Sequence, residues 1–366
     1  MQSLTDIYIY PIKSTKGVQL PQAIVEEKGL KDDRRYMIVD MAGKFITGRT
    51  HPQLTQINVE FSKKGLFVSA PNQSSFYIQP AQFSTKNIPV EIWDDTVQAQ
   101  HCSQECDQWF STFLGESCQL VYFSEATSRC IKKRETQVSF ADGYPLLLIN
   151  QSSVDHLNTL LKKPVTALHF RPNLLIKGDS AYIEDTWARI KIGEVEFEVS
   201  KPCSRCIFTN VNPKTGKADL EQPLNTLAQF RFYDGDIDFG QNLIPLNEGV
   251  IRSGDTIQVL ETQPSRVYQS MLVTKDEDKK ALQIHFANSN VEATGDNQTT
   301  LLDQAEQAGI HIPYSCRGGK CGRCKTKLLS GDVKVLNEKG LFENEIAEGY
   351  ILACSCIPET DISIEH

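Results

Sequence analysis

Apolar and polar positions alternate in short runs through the first hundred residues, and turn residues separate the runs. Tyr36–Asp40 is followed by Met41-Ala42-Gly43-Lys44 and then by Phe45–Gly48. This spacing predicts strand, turn and strand in a barrel or sandwich. The first helical period comes later. Cys106, Trp109, Phe110, Phe113 and Leu114 fall at i, i+3, i+4, i+7 and i+8 behind Ser103, with Gly115 beyond them, predicting an N-capped helix with one core face. Cys106 on that face reads as a small buried hydrophobe rather than a ligand.

Val154, Leu157, Leu160 and Leu161 predict the apolar side of a second helix that begins at about Ser153 and ends before Pro164. ARIKIGEVEFEVS then alternates on both sides of Gly193-Glu194, a hairpin pattern whose second strand leads into KPCSRC. Cys203 and Cys206 are therefore expected in a loop at a strand end, where a rigid scaffold commonly presents chemistry. From about residue 262 to Lys280, TQPSRVYQSMLVTKDEDKK loses periodicity and reads as a linker. The expected organisation is 1–110, a β-rich domain; 111–262, a β-barrel; 263–280, the linker; and 281–366, a separate unit. No internal repeat is visible.

At 366 residues, two or three domains can each bury a core. The N-terminus MQSLTDIYIYPIKSTKG has no signal-peptide pattern, and no later apolar run is long enough to cross a membrane. A cytoplasmic protein without membrane partner is expected. Eleven cysteines in a reducing compartment point to metal, cluster or catalytic roles rather than a disulfide framework. A formal net charge of −8 excludes a nucleic-acid partner held by phosphate contacts. The charge is uneven, however. Arg317, Lys320, Arg323, Lys325 and Lys327 make one stretch basic, expected either to face an acidic electron donor or to be a solvated loop.

That stretch surrounds the strongest motif. YSCRGGKCGRC spaces Cys316, Cys321 and Cys324 as C-x4-C-x2-C, and Cys354 follows after 29 intervening residues. This is the ligand spacing of plant-type 2Fe-2S ferredoxins. Gly318, Gly319 and Gly322 would let the backbone wrap closely and aim N–H groups at sulfur. Cys356 is an alternative fourth ligand. A zinc site from Cys203, Cys206, Cys321 and Cys324 is formally available but would leave Cys316 and Cys354 unexplained. The cluster spacing predicts a one-electron carrier, and the chain has no G-x-G-x-x-G dinucleotide fingerprint, so a flavoprotein reductase is the expected donor.

Seven further motifs occur in order: YPIKSTKG (10–17), DDRRYMIVD (32–40), FITGR (45–49), SFADGYP (139–145), FRPNLLIKG (170–178), EDTW (184–187) and KPCSRCIFTNVNPKTG (201–216). Together they resemble the MOSC superfamily, most closely the branch containing the mitochondrial amidoxime-reducing component and the bacterial YcbX-like proteins, which also end in a ferredoxin domain. The resemblance implies a mainly β fold with α+β character: a MOSC N-terminal β-rich domain, a MOSC β-barrel and a β-grasp ferredoxin domain. It also implies a molybdenum cofactor, molybdopterin, with Cys206 as the metal's protein ligand, and assigns no role to its neighbour Cys203. Lys13, Ser14, Arg34, Arg49, Arg171, Asn173 and Arg205 match positions lining that cofactor, where charged donors suit a phosphate and a flat ring edge. Asp142 matches an acid near the metal and could deliver protons if burial raised its pKa. His311, close to the cluster loop, is expected to be structural. The implied activity is a detoxifying reduction of hydroxylaminopurines, hydroxylamines or amidoximes. Two other readings stay open: a persulfide carrier for sulfur transfer, and a small-molecule binding module fused to an electron carrier.

Overall fold

Most of the alternating segments become strands. The computed structural model describes residues 2–93, 95–131, 134–219, 222–270 and 280–365. The chain divides into two compact units. The first comprises Met1–Cys203, Asn210–Leu220 and Gly240–Ser265; the second comprises Ser204–Thr209, Glu221–Phe239 and Arg266–His366. The whole is mainly β with α+β character.

The first unit's largest sheet runs, in spatial order, Ile257–Thr262, Trp187–Ile192, Val195–Ser204, Asp236–Pro245 (which enters the unit at Gly240), Leu146–Asn150, Leu174–Lys177, Ser3–Ile9 and Val18–Leu20. Its inward side chains, among them Leu4, Ile7, Leu148, Trp187 and Phe197, form one buried core. The run LLLIN is buried at every position, as a strand covered on both faces must be. It pairs in parallel with Leu174–Lys177, Leu148 opposite Leu174. Parallel neighbours need a crossover, and helix Gln151–Leu160 lies within it. That return sets Asn173 beside Leu147, a placement the functional site uses.

A four-stranded sheet orders Tyr36–Asp40, Cys118–Tyr122, Asp95–His101 and Asn87–Ile92, and a meander joins Asn58–Ser62, Gly65–Ala70 and Gln73–Ile78. Helix Gln104–Leu114 buries Cys106, Trp109 and Phe110. Its start is fixed by Ser103 Oγ, which accepts from the Cys106 N–H at 3.2 Å, and its end by Gly115 at φ 77°. Three expectations are corrected. The second helix begins at Gln151, because the Asn150 side chain caps it by accepting from the Ser152 N–H at 3.1 Å. Leu160 is 51% exposed, since the backbone leaves helical angles at Leu161. Phe45–Gly48 makes only a bridge from Phe45 to Val39, because the chain turns at Thr47, whose carbonyl accepts from the N–H groups of Thr50 and His51.

The second unit carries a five-stranded sheet in the order Val291–Asp296, Ala281–Phe286, Ile362–Glu365, Lys325–Ser330 and Tyr350–Leu352. Ala281–Phe286 and Ile362–Glu365 pair in parallel. Helix Leu301–Gln307, capped by Thr300, buries Leu301, Leu302 and Ala305 in a core with Phe286, Ile364, Cys324 and Cys354. Within the stretch read as a linker, Arg266 binds Asp238 at 2.7 Å and the Gln269 N–H donates to the Phe232 carbonyl at 2.9 Å. Residues 271–279 lie outside the described residues. Among the described residues no helix is long and apolar enough to cross a membrane.

Candidate functional site

Tyr10 follows the strand Ser3–Ile9 and is 1% exposed. The guanidinium groups of Arg34 and Arg171 lie over that ring, 4.2 and 4.0 Å from its centroid. Burial pushes the Tyr10 phenol up to about 12, against the pull of the two arginines. Asp33 ties the group together. One carboxylate oxygen accepts from the Tyr10 N–H at 2.7 Å and the other from Arg34 Nη1 at 2.6 Å.

Asn173 holds the same arginine. Its Oδ1 accepts from Arg34 Nη1 at 3.0 Å and from the Leu147 N–H at 3.2 Å, while its Nδ2 donates to the Tyr8 carbonyl at 3.1 Å. Asn173 thus bridges two strands and orients Arg34. Arg171 is steadied by donating from Nη1 to the Thr15 carbonyl at 2.8 Å. Ser14, Arg34 and Arg171 all sit at positive φ, 71°, 49° and 56°. Such angles are costly for side-chain-bearing residues and persist where the surroundings over-determine them.

Beside this lies Lys13, 6% exposed. Its Nζ donates to the Phe140 carbonyl at 2.8 Å and to Asp142 Oδ1 at 2.5 Å. Burial pulls the Lys13 ammonium down to about 8, although Asp142 pushes it back up. Asp142 behaves oppositely to expectation. Crowding around the carboxyl would raise it, but the charges of Lys13, Arg49 and Arg34 and the Lys13 hydrogen bond outweigh that effect and hold it well below the usual carboxylate range. Its side chain is also 62% exposed. The expectation that burial raises its pKa is therefore corrected.

Residues outside the recognised motifs complete the arrangement. Arg129, 6% exposed, donates to the carbonyls of Ser139, Ala141 and Asp142 at 3.0, 2.6 and 2.9 Å and to Asp95 at 2.7 Å. It holds the loop that presents Asp142. Trp93 donates from Nε1 to Asp142 at 3.3 Å, and Arg49 lies 4.3 Å over its ring. Trp93, an exposed tryptophan at φ 56°, could have been noticed next to FITGR only through pairing. Arg129 left no local signal at all.

The two cysteines of KPCSRC are separated by the backbone. Strand Val195–Ser204 runs four residues past the predicted end and includes Cys203, whereas Cys206 follows it, just before the turn Ile207–Asn210. Arg205 and Cys206 belong to the second unit, whereas Lys13, Ser14, Arg34, Arg49, Asp142, Arg171 and Asn173 belong to the first. The Arg205 N–H donates to the Ile237 carbonyl at 2.7 Å, and the Thr209 hydroxyl donates to the Cys206 carbonyl at 2.9 Å.

Cys316, Cys321, Cys324 and Cys354 gather in the second unit. Hydrogen bonds among the four thiols hold Cys316 and Cys324 below the usual range and Cys321 and Cys354 above it. Backbone N–H groups also reach sulfur: Gly318 to Cys316 at 3.4 Å and Cys354 to Cys324 at 3.5 Å. Cys356 takes no part in these hydrogen bonds, and burial pushes its thiol up. Among the described residues no three His, Cys, Asp or Glu side chains converge on a single ion. A dinuclear cluster asks only for pairs of thiolates, one pair at each iron.

Of the five residues of the basic stretch only Arg317 is buried, but three have acidic partners. Arg317 is 3% exposed and binds Asp303 and Glu306, Lys320 binds Asp236 at 2.7 Å, and Lys325 binds Glu345. Arg323 stays exposed. The expected steering patch is therefore reduced, because most of these charges have partners within their own unit.

Three family models match the chain: MOSC N-terminal beta barrel domain over residues 1–117, MOSC domain over 135–258, and 2Fe-2S iron-sulfur cluster binding domain over 284–359. The chain is similar to mitochondrial amidoxime-reducing component 1 of Mus musculus, 31% identical over 279 residues, covering 70% of this chain and 82% of that protein. It is also similar to mitochondrial amidoxime reducing component 2 of Homo sapiens, 33% identical over 245 residues, covering 63% and 73%. Among solved structures, the ferredoxin reductase in carbazole 1,9a-dioxygenase matches with 30% identity and a TM-score of 0.23, over 24% of this chain and 30% of that one.

Proposed function

The chain belongs to the MOSC superfamily and carries a 2Fe-2S iron-sulfur cluster binding domain, and from that premise we propose that it is a molybdenum-cofactor oxidoreductase acting on N-hydroxylated compounds. The overall reaction breaks the substrate's N–O bond, consumes two electrons and two protons, and releases the reduced nitrogen compound and water. Hydroxylaminopurines, hydroxylamines and amidoximes are the proposed substrates. Electrons come from a flavoprotein and pass through the chain's own cluster. When bound, the molybdenum cofactor supplies two-electron chemistry at its metal and the cluster supplies electrons singly.

The residues present fit both groups. Cys206 would give the metal one soft thiolate. Lys13, Ser14, Arg34, Arg49, Arg171 and Arg205 would hold the phosphate and the ring edges, with Asn173 orienting Arg34. The buried Tyr10 hydroxyl has no hydrogen-bond partner among the described residues, which suits a site built to take a polar ligand. Cys316, Cys321, Cys324 and Cys354 would hold the cluster, and the absence of Cys356 from their hydrogen bonds favours Cys354 as the fourth ligand. Near them the buried Ser355 hydroxyl is likewise without a partner among the described residues. A Cβ on Gly319 would meet that hydroxyl at 2.7 Å.

The observation that carries this reading is the convergence of Arg34 and Arg171, both at positive φ, on the buried Tyr10 ring, with the charges of Lys13 and Arg34 both bearing on Asp142. The test is molybdenum, pterin and iron quantification on the purified holoprotein and on Cys206→Ser. Wild type should contain all three, and the variant should keep iron while losing molybdenum and turnover. Iron without molybdenum in wild type, or full molybdenum content and turnover in the variant, would overturn it; sulfane sulfur in place of molybdenum would point to sulfur transfer.

Asp142 has the role of holding Lys13 charged. Anion binding needs the ammonium, so kcat/KM should fall as pH rises through about 8, where the Lys13 proton is lost. In Asp142→Asn the counter-charge disappears and burial acts alone, so the alkaline limb should move towards neutral pH. An unmoved limb would show that Asp142 does not set the charge on Lys13.

A further inference from the structure

Within the second unit, a single backbone hydrogen bond joins the neighbours of two proposed ligands. Ile207, next after Cys206, donates its N–H to the carbonyl of Ser315 at 2.8 Å, and Ser315 immediately precedes Cys316. The Ile207 side chain packs on the core that contains Cys324 and Cys354.

The surroundings hold this contact closed. The turn at Asp234-Gly235, between strands Phe232–Tyr233 and Asp236–Pro245, meets the cluster loop backbone to backbone. A Cβ on Gly318 would lie 1.9 Å from the Gly235 carbonyl oxygen. One on Gly235 would lie 2.7 Å from the Gly318 oxygen and 1.8 Å from Asn337 Nδ2. Neither position admits a side chain without displacing main chain. Asn337 locks the pair by donating to the Gly318 carbonyl at 2.8 Å. Lys320 binds Asp236, which also accepts from the Ser204 hydroxyl at 2.8 Å, and Lys339 binds Asp234 at 2.5 Å. The half-exposed Lys339 pair adds little; the backbone fit and the less exposed Asp236 interactions set the geometry.

We infer that the Ile207–Ser315 hydrogen bond is the electron path from the cluster to the Cys206 centre, and that the Gly235–Gly318 contact keeps it connected. The inference rests on the reading of Cys206 and Cys316 as ligands. A run of covalent bonds from each sulfur reaches the shared N–H···O, so no step crosses empty space, where electronic coupling decays fastest. In each transfer one iron(II) of the reduced cluster becomes iron(III) and the acceptor centre gains one electron. Two transfers supply one N–O cleavage. Dithionite, or a reduced flavoprotein, restores the cluster.

The test uses full-length holoprotein and Gly235→Ala, with iron, molybdenum and the reduced-cluster EPR signal measured on both. Hydrogen–deuterium exchange follows the peptide containing Ile207, and stopped-flow absorbance follows reoxidation of the dithionite-reduced cluster by 6-hydroxylaminopurine. The variant should exchange faster at Ile207 and reoxidise about tenfold more slowly, equivalent to about 1.4 kcal/mol of barrier. Faster exchange with unchanged reoxidation would overturn the path, and unchanged exchange would overturn the role of the glycine contact. If Gly235→Ala loses its cluster, Asp236→Asn takes its place under the same criteria. Wild type that holds no molybdenum, or whose cluster the purine does not reoxidise, would fail the proposed function instead, while the exchange measurement still reports on the contact.

Discussion

Arg317→Leu should destabilise the iron–sulfur unit by roughly 3–5 kcal/mol, the usual effect of removing one partner from a buried ion pair, and should yield protein with little iron. Arg317 is 3% exposed, binds Asp303 through Nη1 and both oxygens of Glu306 through Nη2, and lies 4.4 Å over the Tyr314 ring. Without it, two carboxylates on one turn of helix Leu301–Gln307 face each other. Leucine would also have to adopt the positive φ of 54° at that position, directly beside Cys316. Burial already raises the Glu306 carboxyl against the pull of Arg317, and losing the guanidinium raises it further. A group whose folded pKa lies above its unfolded value stabilises when protonated. The deficit of the variant should therefore shrink as pH falls from neutral into the carboxylate range. Urea unfolding across that range, with iron and sulfide assays, checks both claims. A deficit that stays flat with pH would mean that the ion pair is not its source. Arg317→Lys should recover only part of the loss, because an ammonium lacks the bidentate fork.

Arg129→Met should have an effect of similar size, roughly 3–5 kcal/mol, in the first unit. The substitution strands three carbonyls, those of Ser139, Ala141 and Asp142, and leaves Asp95 without its partner. The consequence reaches Lys13, since the same loop supplies the Phe140 carbonyl and the Asp142 carboxylate that grip it. Removing the positive charge of Arg129 eases one influence that lowers the Lys13 pKa, but loosening Asp142 removes the larger influence that raises it. Loss of stability should thus come with an alkaline limb moved to lower pH, in the same direction as expected for Asp142→Asn. Thermal unfolding and the pH profile of kcat/KM report the two effects. A normal melting temperature would refute the structural role, and a limb moved upward would refute the loss of grip on Lys13.

The contrast between these residues shows what can be read from a chain and what cannot. The helix Gln104–Leu114 was legible because its cap, apolar face and glycine stop lie within thirteen consecutive residues, Ser103 to Gly115. The grouping of Cys316, Cys321 and Cys324 follows from loop spacing, which is local, whereas Cys354 joins them from 30 positions beyond Cys324. Arg129 was not legible, because nothing in its neighbourhood distinguishes a guanidinium that will hold a loop from one that will face water. Lys13 and Asp142 were each singled out, but their pairing across 129 positions lowers the carboxyl's pKa where burial alone would raise it. The basic stretch around the cluster read as a surface feature because its acidic partners, Asp236, Asp303, Glu306 and Glu345, are spread along the chain. Cys203 and Cys206 looked equivalent until strand and turn treated them differently. Periodicity and spacing report what a segment does by itself, and long-range pairing then assigns the charge.

The positive backbone angles at Ser14, Arg34 and Arg171 carry an implication for protein engineering. Glycine or asparagine would relieve the backbone at Ser14, whereas at Arg34 the same change would leave the buried Asp33 carboxylate without its partner, so a screen that rewards heat resistance alone would drift towards glycine at Ser14. Under the proposed function its winners would be hardier but would lack one of the donors proposed to hold the cofactor.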